Sequence, residues 1–249
     1  MNLELTDMQG LGTVVNVIAI IVAGIIGCFF GNKIPERIKE TLMTANAVAI
    51  LFLGIGGAVA QMLKLEDGAF TTQGTIMMVV SLAVGAIIGE LFNIEGKFET
   101  FGEWLKQKTG NAKDLSFVNA FVTCSLTICI GAMAVVGSIE DGMYANHSIL
   151  FAKAIMDSVI VLVMASSMGR GTIFSAIPVF ILQGCITLLA RLIKPIMTDN
   201  AMANLSLVGS ALIFCVGVNL FWGKKVRVAN LLPALVIAVI WAFLPMGRM

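Results

Sequence analysis

Eight runs of about 20 predominantly apolar residues follow one another with only short polar breaks, and each is long enough to cross a bilayer. They cover roughly 11–31, 41–63, 75–94, 115–137, 149–168, 173–193, 202–222 and 228–246. In lipid every backbone N–H and C=O must be satisfied within the segment or by a neighbour, so runs of this kind fold as helices. The chain is 58% hydrophobic and 12% charged, where soluble domains carry about 25% charged residues. The expected fold is all-α: residues 1–249 form a single transmembrane domain, a polytopic helical bundle of about eight spans. A net charge of +1 argues against nucleic acid, which calls for a basic face. Its expected partners are the lipid bilayer, a small solute or ion, and further copies of itself in a homo-oligomer.

Lysine and arginine set the orientation. With the N-terminus outside, eleven of the 16 basic residues fall on the inner side: Lys33, Arg37, Lys39, Lys97, Lys106, Lys108, Lys113, Arg170, Lys224, Lys225 and Arg227. Lys64, Lys153, Arg191, Lys194 and Arg248 fall on the outer side. Glu4 and Asp7, in an N-terminal stretch without the basic region of a signal peptide, suit an outer segment. The run Ser138-Ile139-Glu140-Asp141-Gly142 reads as an acidic outer loop. The expected location is the inner (cytoplasmic) membrane, multi-pass. Residues 95–113 carry Phe98, Phe101, Trp104 and Leu105 at helical spacing among lysines, the pattern of an amphipathic helix lying in the cytoplasmic interface.

A polar group at bilayer depth is costly, and one that is kept faces a protein or water-filled interior. Asp157, near the middle of the 149–168 run, is the principal case. A carboxylate in such a place can exchange a proton or bind a cation; alternatively it pairs with Lys153, one turn earlier on the same face, unless Lys153 snorkels to the interface. Gln183 stands as far after the Gly169-Arg170-Gly171 turn as Asp157 stands before it. At 1.5 Å per residue both lie about 20 Å from that turn and share one depth. Ser158 and Asn16 complete the candidate solute site: Asp157, Gln183, Ser158, Asn16 and Lys153. Asn46, Asn119 and Asn219 read as interhelical hydrogen-bonding residues. Gly54, Gly56, Gly57, Gly131 and Gly217 mark close helix packing, with local unwinding as the alternative. Pro178 and Pro233 are candidate kinks.

The stretch from Gly24 through Pro35 and that from Gly184 through Pro195 match at one offset, in runs of opposite direction. This is the arrangement of an inverted repeat, a common transporter architecture with its site at the midplane. The five cysteines lie in apolar runs without histidine company and read as packing residues. The single histidine, His147, belongs to the outer interface. No metal site, cofactor or nucleotide loop is expected, and a paired-aspartate protease would need a second membrane aspartate. The chain reads as not an enzyme.

The segments GTVVN (Gly12–Asn16), KIPERIKETLM (Lys33–Met43), SAIPVFILQG (Ser175–Gly184) and VRVANLLPAL (Val226–Leu235) resemble, in matching order, the prokaryotic membrane family called domain of unknown function 554. The resemblance implies a small multi-span inner-membrane protein, a candidate transporter with no assigned substrate. The residues lead to a secondary transporter of a small cationic or polar solute, proton- or cation-coupled through Asp157. An ion channel, or a non-transporting scaffold or regulatory subunit docking through the Trp104 segment, are the rival readings.

Overall fold

Apolar residues all around a helix, with no alternation, leave its faces nothing to distinguish except lipid and neighbouring helices, and the fold sorts them by residue size. The computed structural model describes residues 8–31, 33–66, 69–130 and 132–244. Glu4, Asp7, Gly131 and Arg248, which entered the reading above, lie outside them. The described elements are α1 (Leu11–Gly31), α2 (Glu36–Met62), β1 (Leu63–Glu66), β2 (Ala69–Thr72), α3 (Thr75–Phe92), α4 (Ile94–Lys108), α5 (Phe117–Cys129) and α6 (Ala132–Tyr144). They continue with α7 (Ser148–Met168), a 3-10 segment Arg170–Ser175, α8 (Ala176–Leu188), α9 (Ala190–Ile193), α10 (Asp199–Trp222), a 3-10 turn Val228–Leu231 and α11 (Pro233–Trp241). The protein is an all-α polytopic membrane protein.

Each of the eight apolar runs contains helix among its described residues, but they are not eight equal spans. Among the described residues, six helices are long and apolar enough to cross a bilayer: α1, α2, α3, α7, the 3-10 segment joined to α8, and α10. The 115–137 run is not one helix. It breaks after Cys129, and α5 and the helix that follows are inclined by 64°, making a seventh, broken span or a re-entrant loop. The last apolar helix, Val228–Trp241, is shorter than the other candidates. Residues 138–142, expected as a loop, belong to α6. Pro178 and Pro233 stand in the first turns of α8 and α11, just past the 3-10 segments that lead into those helices, where a missing N–H costs little. The matched glycines of the candidate repeat differ in surroundings: a side chain at Gly24 would meet Ile173, while one at Gly184 would meet open space.

The chain divides into two compact units. The first holds Met1–Asn46, Glu99–Cys129 and Met133–Lys194, and its main contact is α1 on α7. Gly12, Gly27 and Gly31 make that contact possible: side chains there would strike Leu150, the Leu162 carbonyl and the Ser166 backbone. The opposite face of α1, with Ile18, Val22, Ile25 and Phe29, is exposed, as a lipid-facing surface is. Phe117 of α5 meets Phe174 of the 3-10 segment at 5.2 Å between ring centroids. Within α4, Phe101 and Trp104 stack at 5.8 Å, and Trp104 is exposed; of the 95–113 segment, the helix covers the part up to Lys108.

The second unit holds Ala47–Phe98, Ile130–Ala132 and Pro195–Met249. Gly54 lies against the Phe214 backbone, Gly57 against Ser210 and Gly217 against Leu51. α2 and α10 are thus continuous helices in close contact, not unwound at their glycines. Gly85 and Gly89 of α3 admit Ala234 and Asn230 in the same way. A short antiparallel hairpin, β1 with β2, pairs Leu63 with Thr72 and Leu65 with Phe70. β1 alternates over only four residues and β2, Ala69-Phe70-Thr71-Thr72, does not alternate, too short a signal to separate from a polar loop, and the hairpin was not expected.

Candidate functional site

The polar residues of the first unit converge on one depth. Asn16 is fully buried in α1, and its Nδ2 donates to both Asp157 Oδ2 (3.2 Å) and Gln183 Oε1 (3.4 Å). One amide therefore bridges α1, α7 and α8, and the equal spacing of Asp157 and Gln183 about the Gly169-Arg170-Gly171 turn does bring them within reach of a single side chain. Lys153 does not snorkel. It is buried, and its Nζ lies 2.9 Å from Asp157 Oδ1 and 2.8 Å from Oδ2. Ser158 does not join the cluster through its hydroxyl, which donates to the Ala154 carbonyl at 2.6 Å on its own helix, the usual local bond of a helical serine.

The third partner of Lys153 comes from the helix break. Its Nζ donates to the Ile128 carbonyl at 2.7 Å, in the last turn of α5. Helix C-termini leave carbonyls without intrahelical donors and carry partial negative charge. A helix that ends beside the ammonium satisfies part of its solvation demand. Sequence reasoning named Lys153 and Asp157 but missed this contribution, because no Pro marks the end of α5.

Two buried polar groups in the cluster have no hydrogen-bond partner among the described residues: Asn16 Oδ1 and Gln183 Nε2. An unpaired buried polar group costs about 1–3 kcal/mol, so two in one cluster are a substantial liability for a purely structural motif. One is an acceptor and the other a donor, and they flank an ion pair of zero net charge. The cluster thus holds one unpaired acceptor and one unpaired donor beside the pair.

One helical turn from Asn16 and Gln183, on α1 and α8, stand Thr13 and Thr187, both buried, with hydroxyl oxygens 3.5 Å apart. Beyond them Asp141, expected in a loop, is fully buried on α6. Its carboxylate accepts from the backbone N–H of Gly10 (3.2 Å) and of Thr13 (3.3 Å) and lies 2.6 Å from His147 Nδ1. Asp141 thus caps the N-terminus of α1 from another helix, where a negative charge complements the free N–H groups. A cap supplied from 128 residues away leaves no local signature. Asp141→Asn is expected to lower stability by about 1–3 kcal/mol, read as a lower melting temperature in detergent, with Glu140→Gln in the same helix nearly silent.

Asn119 and Asn219 make their bonds locally. Asn119 Oδ1 accepts from Thr123 one turn on in its own helix. Asn219 accepts from the N–H groups of Lys225 and Val226 and donates to the Val226 carbonyl, closing the loop after α10. Neither of these bonds joins two helices.

Residues 11–243 match the family described as "Protein of unknown function (DUF554)". The chain is 30% identical over 232 residues to the uncharacterized membrane protein YdfK of Bacillus subtilis, covering 93% of this chain and 95% of that protein. It is 27% identical over 236 residues to the uncharacterized protein YqgA of Escherichia coli, covering 92% and 94% respectively. No solved structure matches it. Six or seven apolar membrane-crossing helices, and a family match running from the first helix to the last, make this chain a membrane protein of the DUF554 family.

Proposed function

We propose that the protein is a secondary transporter of a small polar solute, with the site at Asn16, Asp157 and Gln183 and with Lys153 as the internal counter-ion of Asp157. The observation that carries the proposal is the unpaired acceptor and donor, Asn16 Oδ1 and Gln183 Nε2, buried beside a buried ion pair. Because Lys153 already occupies both oxygens of Asp157, the site suits a neutral or zwitterionic solute better than a cation, which would have to displace the ammonium. Protonation of Asp157 breaks the ion pair and frees Lys153, and this gives the site two states that a solute can bias. Proton coupling through Asp157 belongs to the same proposal, as do alternating access, the inner membrane and an external N-terminus.

Thermal stability of the purified protein against a panel of neutral amino acids, amines and carboxylates tests this. A ligand of the folded state at 100 times its dissociation constant stabilises by about 2.7 kcal/mol. A stabilising compound is expected whose effect disappears in both Asp157→Asn and Gln183→Leu, and its uptake into proteoliposomes is expected to depend on an imposed pH difference. Full uptake by Asp157→Asn would end the proposal, and flux far above about 10³ s⁻¹ would indicate a channel.

A further inference from the structure

The second unit contains a cleft of about 510 Å³, within the ~300–1,000 Å³ typical of small-molecule sites. It is built where the end of α2, the start of α3, the start of α10 and the end of α11 meet. Four carboxamides line it, those of Gln61, Gln73, Asn200 and Asn204, together with two threonines and Trp241. No lining residue carries a charge.

Two of the amides are held by hydrogen bonds to backbone. Gln73 Nε2 donates to the Gln61 carbonyl at 3.2 Å, and Asn204 Nδ2 donates to the Ala238 carbonyl at 3.1 Å. Each keeps its carbonyl oxygen and one N–H for other partners. Beneath them Met77 and Leu207 are buried in a packed cluster with Val208, Ala234 and Ala238, against which Trp241 also packs. The cleft therefore has an apolar floor and a rim of carboxamides, two of them held in place, that both donate and accept.

We infer that this cleft binds a neutral polyhydroxylated ligand, of the size of one or two sugar rings. A hydroxyl both donates and accepts, and so does a carboxamide; several hydroxyls on one face match several amides on the rim. The C–H face of a sugar ring is apolar and packs against an aromatic surface such as Trp241. A phosphate, carboxylate or ammonium would shed water on entering and find no counter-charge. The cleft is formed wholly within the second unit, so this inference is independent of the transport site at Asp157.

Isothermal titration of glucose, maltose and inositol into the full-length protein tests it, in a detergent without a sugar headgroup so that the detergent does not compete. Glutamate, choline and short-chain phosphatidylcholine serve as charged comparators. Saturable binding of at least one polyol with a millimolar dissociation constant is expected, with none for the comparators. Asn204→Leu and the exposed-site change Asn200→Asp are each expected to weaken binding at least tenfold. Asn200→Asp keeps the test decisive if Asn204→Leu fails to fold. No heat from any polyol overturns the inference. So does binding that survives both substitutions, binding lost only in Asp157→Asn, or saturation by the phospholipid alone.

Discussion

Lys153→Met is expected to be the most damaging single substitution in the first unit. Lys153 and Asp157 are 7% and 3% exposed, and their charged atoms are 2.8 Å apart. Removing the ammonium leaves a buried carboxylate facing the Ile128 carbonyl, and breaking a buried pair from one side costs about 3–5 kcal/mol. The double change Lys153→Met with Asp157→Asn removes both charges and is expected to recover most of the loss. Melting temperature and monodispersity in detergent read this directly. Uptake separates structure from function: the double variant is expected to fold and not transport. A single variant as stable as the wild type would mean that the pair is not desolvated as the fold implies.

The second large effect lies in the α1–α7 seam. A methyl at Gly27 would sit 2.5 Å from the Leu162 carbonyl oxygen, and one at Gly31 2.5 Å from that of Ser166. Both obstacles are backbone, which cannot rotate away. Overpacking of this kind costs about 1–3 kcal/mol per site, so Gly27→Ala with Gly31→Ala is expected to remove a large part of the stability of the first unit. Because α1 carries Asn16, the separation of the helices also pulls its amide from Asp157 and Gln183, and ligand stabilisation is expected to vanish even in the fraction that stays folded. Gly56→Ala, where a side chain would meet only open space, is the matched control and is expected to be silent.

These residues also show what a linear reading can reach. Asp157 and Lys153 are one turn apart in one helix, so their pairing is a local property and was legible. The common depth of Asp157 and Gln183 followed from counting along two helices joined by a tight turn. Asn16 was legible only as an amide deep in an apolar run, since nothing local says which helix it faces. Ser158 failed for a physical reason: a helical serine has a carbonyl of its own helix within reach at Ala154. Asp141 failed for the opposite reason. Its partners at Gly10, Thr13 and His147 are brought together by the fold, so an acidic run that looked like a solvated loop is a buried helix cap. The end of α5 was hidden because Thr127-Ile128-Cys129-Ile130 continues the apolar pattern across the break.

The bridge from Asn16 to Asp157 and Gln183 spans 141 and 167 residues of sequence, and this separation has a consequence for biogenesis. At ~5–20 residues per second of synthesis, the first helix is made about 7–33 s before its polar partners exist. During that interval its amide lacks the two partners it has in the finished fold. α1 is thus a span that inserts early and docks late. The surface it docks with is the seam of Gly12, Gly27 and Gly31, where α7 comes close.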